Sequence, residues 1–598
     1  MSVLALLGIA IVAASALQAQ EKKAEETLEW VPAAAQNNDQ EIDPDARRLD
    51  VVITSTPKAT ADMSTFTREY VIDLARFSIT NTGKNPLATA KGINAALQHA
   101  KTIGANRIVF PRGTYLISET VPIVFDHTDT IVDLNGCTLQ MNPNALKKCH
   151  MAIIDDGAEN FRLTNGTLRG ERDKHDFKAT KGSGEWVDLL HVNGGRDIEV
   201  DHLLLTHATG KGVRTLNGIS GKGGKQRYHY IHTKNLESGG FAENGTKVEA
   251  PEKTRTINPY DIAKANGQFE FGYTAGYMGF PYVKGRRYQA CFYADDMTFI
   301  EKNDYIQYKK RPVPKGAKWI HLEFNQPEVL GVGSDGSVKN PYCGFISNFR
   351  SPRGVHFHHN HMLKNRQLGM AVCGGQQWII ENNVFEENGP QAPGYGVDFE
   401  DGWLMTQDIV FRNNRFKNNI KGDFVVCGGS ELLVEGNEFE KGAYFWDATL
   451  SYTFRKNKVM GGRVAFKTRT GHVTAEDNYY ENCTMLVRFD PRGFNNGFFR
   501  EKGVLPETPP VRLRRETLVN VRSVAGTYFD FADSTMKHVV FHAGKETQLA
   551  RFHDCVFEDT SVSYSAEGPA VIVERSGCKG TLKEQGPGLK RRKSNQNP

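Results

Sequence analysis

Between Gly354 and Cys483 one hydropathic phrase recurs. It reads GVHFHHNHMLKN, WIIENNVFEENG, DIVFRNNRFKNN, ELLVEGNEFEKG, YTFRKNKVMGG and HVTAEDNYYENC. In each copy apolar and polar residues alternate, an Asn follows, then a large apolar residue and a polar turn. Period-two alternation marks a strand and not a helix. The Asn residues are Asn360, Asn383, Asn414, Asn437, Asn457 and Asn478, separated by 23, 31, 23, 20 and 21 residues. A repeat of this length belongs to a solenoid. A leucine-rich horseshoe would need a helix per unit and Leu at fixed places, and neither is present. The pattern therefore predicts a parallel β-coil. Ile380, Val410 and Val434 point inward on successive turns, and Phe385, Phe416, Phe439, Val459 and Tyr480 stack after the corner. The corner Asn is expected to take left-handed backbone angles and to bond through its amide to the Asn above and below.

Outside this stretch the pattern changes. Ala88–Ile103 has Ile93, Ala96, Leu97 and Ala100 at helical spacing, with Gly104 as its stop. The strands RIVF and TYLIS follow, joined by PRG. TIVDLNGCTLQM, FRLTNGTLRG and DIEVDHLLLTHATG alternate as earlier turns of the coil. Between about Ile219 and Val332 the repeat stops, and FYADDMTFI with PKGAKWIHLEF predicts an inserted antiparallel β-unit. Its Tyr288, Tyr293 and Trp319 are read first as core and second as sugar contacts. Alternation then resumes in weaker form to about Gly577.

The opening MSVLALLGIAIVAASALQA is apolar from Val3 to Leu17 and ends in small residues, the form of a secretory signal peptide. That apolar run is short for a membrane span. The expected organisation is a signal peptide at 1–19, a linker at 20–65, capped coil turns at 66–218, the insert at 219–332, further turns at 333–580 and a basic disordered tail at 581–598. The expected location is secreted, periplasmic or cell-surface, with no membrane span after signal cleavage. The fold class expected is all-β: a right-handed parallel β-helix solenoid with an N-terminal capping helix.

Composition adds little. A hydrophobic fraction of 39% supports a large core. The net charge of +5, from 74 basic and 69 acidic residues, selects no partner, and no nucleic-acid role is read from it. Of the nine Cys, Cys373 and Cys427 fall at the same place in two repeats, AVCGG and VVCGG, and are read as small core residues. No CxxC pair appears, so no structural zinc site is expected. HFHHNH is read as a polar solvent face and not as a metal site. No cofactor is expected, a calcium ion at the acidic loop being the one exception considered. The chain is expected to be a monomer.

The segment Ala95, Ala96, Phe110, Pro111, Gly113 and Tyr115 resembles the N-terminal segment of pectate-lyase-superfamily right-handed β-helix proteins. There a helix caps the open end of the coil and FP-x-G-x-Y begins the first turns. The resemblance implies the fold and leaves the reaction open.

Candidate chemistry concentrates near the longest repeat, which carries the loop GPQAPGYGVDFEDGWLMT. Asp398 and Glu400 are two apart on a strand and share a face, with Asp401 adjacent. Carboxylates so close repel, which raises a pKa and suits a general acid, unless a cation sits among them. Asp423 and Asp447 lie one and two turns on, and stacking would place them in a carboxylate column with Asp398. A basic group, Arg463, Lys467, Arg469 and Arg488, suits an anionic sugar.

GVDFED, KGDFVV and RVAFKT resemble the polygalacturonase-type glycoside hydrolases, with Asp398 and Asp423 matching the acidic motifs and Arg463 or Lys467 the basic one. Gly396 and Val397 stand in place of N-T, Phe424 replaces the second Asp of G-D-D, and no His-Gly pair follows. NRQLGMAV with NGPQAPGYGVDFEDG resembles a broader group of secreted β-helix proteins, through Arg366, Gln367, Gly369, Pro393, Gly396, Asp398 and Glu400. That resemblance implies a groove built from Arg366, Asp398 and Glu400. Lys467 and Arg488, 21 residues apart, are similar to the base and Arg of β-helix lyases, although Met460 and Gly462 stand where that family has calcium-binding glutamates. The expected function is cleavage of glycosidic bonds in an anionic polysaccharide or oligosaccharide, with hydrolysis ahead of elimination and a non-catalytic polysaccharide-binding solenoid as the competing class. Asp398, Glu400, Asp423 and Asp447 are the catalytic candidates. Arg366, Gln367, Asp401, Arg463, Lys467, Arg469 and Arg488 are the substrate-binding ones.

Overall fold

The computed structural model describes residues 66–216, 229–263, 267–272, 287–306, 311–326, 342–347, 352–400, 406–446, 452–468, 473–489, 511–544, 547, 549–566 and 572–588. The expected signal peptide and linker lie outside them. No helix among the described residues is long and apolar enough to cross a membrane.

Alternating sequences wind into a coil whose strands pair parallel, turn upon turn. Val355 lies beside Trp378, Trp378 beside Ile409, Ile409 beside Leu432, and Leu432 beside Tyr452. Every second side chain enters one continuous core that runs from Ile72 to Leu582. Phe385, Phe416 and Phe439 stack at 5.0 Å spacings inside it.

The helix Pro86–Thr102 closes the first turn. Its buried stripe of Ala90, Ile93, Ala96, Leu97 and Ala100 joins that core. Asn94 on the same helix accepts from Val124 N and donates to Pro122 O, which satisfies a strand the solenoid would otherwise leave open.

Two asparagine ladders hold the turns in register. In the first, Asn383 donates through Nδ2 to Asn414 Oδ1 at 3.0 Å, Asn414 to Asn437 at 3.1 Å, Asn437 to Asn457 at 3.0 Å and Asn457 to Asn478 at 3.2 Å. Each amide also bonds main chain: Asn414 Nδ2 reaches Ile380 O, and Asn383 N reaches Asn414 Oδ1. Asn478 passes the ladder on to buried Glu516, at 3.0 Å. The left-handed residue at the corner is not the ladder Asn, as expected, but the one before it: His359, Asn382, Asn413, Gly436, Lys456 and Asp477 all have positive φ. The reversal at that residue turns the following amide inward, where ladder bonds replace those to water. A second ladder joins Asn365, Asn388 and Asn419. It runs past Gly212 and Gly369, where an added Cβ would lie 2.9 and 3.1 Å from the Nδ2 atoms of Asn365 and Asn388.

The inserted unit interrupts the sequence but not the coil. Lys211–Leu216 pairs in parallel with Leu368–Cys373, and Arg196–Thr206 with Arg353–His358. Between them the strands from His229 to Ser347 pair antiparallel with one another. Tyr342–Ser347, which the sequence-based boundary at 333 gave to the coil, still pairs with His229–His232 and Gln268–Gly272. Tyr288 and Tyr293 are buried in this unit, and Trp319 packs against its Phe241, Cys291 and Tyr293 cluster. Tyr288 and Tyr293 are core, as read first, whereas Trp319 is only partly buried at the edge of that cluster. At the far end, Lys579–Gln585 still pairs in parallel with Val556–Tyr564.

Candidate active site

One face of the coil gathers most of the chemistry. Its strands are Lys148–Ile154, Trp186–Val192, Lys211–Leu216, Leu368–Cys373, Tyr395–Phe399, Gly422–Val426, Ala443–Phe445, Arg463–Thr468 and Thr484–Phe489. Val397 and Phe399 enter the core, so Asp398 between them points out. The register aligns His191, Arg214, Ala371, Asp398, Val425, Tyr444 and Ala465 in one outward column. One step along, Cys373, Glu400, Cys427, Trp446, Lys467 and Arg488 follow the same sequence of turns.

Asp398 is 5% exposed, whereas Glu400 is half-buried. Burial raises both carboxyls above the ordinary range. Asp398 and Glu185 push the Glu400 carboxyl up further, while Lys211 and Arg214 oppose that rise. Lys211 is fixed beside the pair by bonds to Glu185 O at 2.8 Å and Gln367 Oε1 at 2.7 Å. Gln367 in turn donates to Ala392 O, so its amide orients Lys211. Neither Cys373 nor Cys427 belongs to the main core: Cys373 is buried in a small separate cluster with Leu368 and Ala371, and Cys427 is partly exposed. They flank Glu400 on the outward face, where the Cys427 thiol lies 3.6 Å from Asp398 Oδ1. Burial pushes the Cys373 thiol up to about 12 and raises that of Cys427 as well, so neither supplies a thiolate.

Further along the wall, Tyr444 and Trp446 alternate with inward Phe445 and form an aromatic shelf. Lys467 lies 4.3 Å over Trp446 and 5.1 Å over Tyr444, and Arg463 lies 5.2 Å over Tyr444. Lys467 pairs with Arg488 across adjacent strands. At the other end stand His150, Asp188, His191 and Arg214. His191 stacks on His150 at 4.4 Å, and Arg214 lies 3.6 Å over Trp186 and 3.4 Å from Asp188.

Two expected site residues belong elsewhere. Asp423 does not continue a column from Asp398, whose partner on the next turn is Val425. Its carboxylate instead ends the second ladder: Asn419 Nδ2 reaches one oxygen at 3.1 Å, and Lys441 N reaches the other at 2.5 Å. Burial raises it to about 6. Arg366 stacks 4.2 Å over Phe177 and donates to Gly182 O and Gln391 Oε1, which ties two loops together. Asp401, Asp447 and Arg469 lie outside the described residues.

The sequence offered no repeat-based route to His150, Asp188, His191, Lys211 and Arg214, because the insert separates their turns from the regular ones. Tyr444 and Trp446 were detectable as outward positions in AYFW, once Phe445 was assigned inward.

The polar residues of HFHHNH serve the neighbouring face. His358 bonds Glu199 at 3.0 Å, His356 bonds Glu381 at 2.8 Å, and Glu381 also pairs with Arg412. Glu435, Arg455 and Glu476 extend this ladder of opposite charges.

Residues 335–439 match the family model described as the right handed beta helix region. The protein is a right-handed parallel β-helix. It shares 26% identity over 158 residues with the Bacillus subtilis uncharacterized protein YclG, and 22% over 159 residues with the SPbeta prophage-derived uncharacterized protein YorA of the same organism. Each match covers 24% of this chain, and the chain spans about a quarter of the length of these relatives, 26% and 27%. Similar solved structures include the A-module of Azotobacter vinelandii mannuronan C-5 epimerase AlgE6, at 10% identity and a TM-score of 0.41, over 86% of this chain and 99% of that one. The catalytic unit of the GH87 α-1,3-glucanase from Streptomyces thermodiastaticus matches at 10% identity and 0.39, over 87% and 70%. These likenesses assign no reaction.

Proposed function

We propose that the protein cleaves glycosidic bonds of an anionic polysaccharide by hydrolysis, on the face that carries Asp398 and Glu400. The observation that carries this reading is the convergence on that face of a carboxyl pair with raised pKa, flanking cations and an aromatic shelf. A raised carboxyl keeps its proton near neutral pH and can give it to a leaving oxygen. Glu400, the more accessible of the two, is the acid. As the bond to the anomeric carbon breaks, its proton goes to the leaving sugar oxygen. Asp398, which shares its face, is the carboxylate that takes a proton from the attacking water as the water oxygen bonds to the anomeric carbon. Lys211 and Arg214 lower the cost of the second negative charge. Tyr444 and Trp446 offer flat apolar surface to a sugar ring, with Lys467, Arg463 and Arg488 beside them for its carboxylates.

A second reading has one observation in its favour, the direct pairing of Lys467 with Arg488. There Lys467 would draw the proton next to a uronate carboxylate, and the glycosidic oxygen would leave by elimination. Incubating the chain with a panel of uronic polysaccharides separates the readings. Hydrolysis releases reducing ends without ultraviolet absorbance, whereas elimination adds the absorbance of an unsaturated product. Binding of a glycan with neither signal would reduce the protein to a binding solenoid.

A further inference from the structure

We propose that His150, Asp188 and His191 form a binding site for one divalent transition-metal ion of the zinc type. They lie on the strands Lys148–Ile154 and Trp186–Val192, at the opposite end of the active face from the aromatic shelf. One ligand atom from each falls within 4.8 Å of the others. Ligands about 2.1 Å from a shared tetrahedral ion stand roughly 3.4 Å apart, so closure asks for movements of about 1.4 Å or less.

The cluster also carries an unmet polar demand. His191 is 2% exposed and Asp188 is fully buried, yet neither ring nitrogen of His191 nor Asp188 Oδ1 has a hydrogen-bond partner, while His150 Nδ1 stands 3.4 Å from Asp188 Oδ2. Buried polar groups left open in this way are costly unless something occupies the space between them.

The surroundings match an outer shell. Asn193 donates Nδ2 to Asp155 at 2.9 Å, which leaves its own unpartnered Oδ1 beside the His191 ring, where it can orient that imidazole. Arg214 stands 3.4 Å from Asp188 Oδ2 and steadies the carboxylate from outside. Two imidazoles and one carboxylate make a borderline-soft, three-ligand set with open positions for water or a substrate oxygen. The cluster Glu199, His356 and His358 has similar composition, but its groups already bond one another and Glu381.

The test needs no substrate and is independent of the proposed hydrolysis. The full chain, stripped with chelator, is dialysed against zinc and, separately, titrated with cobalt while visible absorption is followed. One zinc per chain and one equivalent of low-symmetry cobalt bands are expected. His150→Gln and His191→Gln should weaken both about tenfold or more, and His358→Gln should leave them unchanged. Circular dichroism checks each variant, and His150, the least buried of the three, decides the matter if His191→Gln fails to fold. No stoichiometric uptake, uptake unaffected by His150→Gln, or uptake lost in His358→Gln would each overturn the site.

Discussion

At the residue scale, three carboxyls with similar promise in the sequence have different fates. Asp398 and Glu400 stand on an outward face beside Lys211, whereas Asp423 is spent on Asn419 and Lys441. Asp423→Asn would set an amide N–H against one of those two donors and cost roughly 1–3 kcal/mol. A lower urea midpoint is expected, with turnover per folded molecule unchanged. Glu400→Gln is expected to do the opposite, with a normal midpoint and turnover reduced about a hundredfold or more. The raised carboxyls also bear on pH. A folded state that keeps protons the unfolded chain releases loses stability as pH rises through the interval between the two pKa values. For Asp423 that interval runs from about 4 to about 6, and the Asp398–Glu400 pair extends the loss higher. Urea midpoints at pH 5 and pH 8 should therefore differ less in Asp398→Asn/Glu400→Gln than in the unaltered chain. An equal or larger difference in the double variant would count against buried, protonated carboxyls. The sequence revealed that Asp398 and Glu400 share a face, since alternation alone requires it. It hid the fate of Asp423, because a displacement of two residues between turns decides between wall and ladder.

At the element scale, the coil depends on amides more than on any single strand. Many turns contribute only short strands, as the two residues of Glu438–Phe439 and the seven of Gly375–Glu381 illustrate, too few to be stable alone. Each ladder Asn ties its own turn to the next. Asn414→Ala would strand the buried Asn383 N, leave Asn383 Nδ2 with only its bond to Phe357 O, and vacate Ile380 O. At about 1–3 kcal/mol for each unmet group, a loss of several kcal/mol is expected in urea unfolding. A loss below about 1 kcal/mol would show the ladder to be incidental. The phrase of alternation, Asn and aromatic made these elements readable, since burial acts on every turn alike. The left-handed residue escaped notice because His359 and Lys456 hold that position as well as Asn382 and Asn413. There the backbone path, and not side-chain preference, selects the conformation.

At the scale of the whole molecule, the coil runs unbroken beneath its insert. Lys211–Leu216 stacks directly on Leu368–Cys373, although about 150 residues of chain lie between them. Replacing the antiparallel unit between residues 217 and 350 with a short Gly/Ser loop should leave far-ultraviolet circular dichroism typical of β-structure and a single cooperative unfolding transition. Loss of the transition would show that the two halves of the coil need the insert to dock. The same break explains why the end of the outward face bearing His150, Asp188, His191 and Arg214 was invisible in the sequence. The repeat can be read only where turns follow one another, and His150, Asp188, His191 and Arg214 precede the interruption. The proposed catalytic role of the wall on which remote turns converge is tested most directly by reducing-end release from uronic polysaccharides, measured side by side for the unaltered chain, Glu400→Gln and Asp423→Asn. Product is expected from the first and third and almost none from the second. Absence of product from every glycan, or cleavage by Glu400→Gln at the unaltered rate, would contradict it.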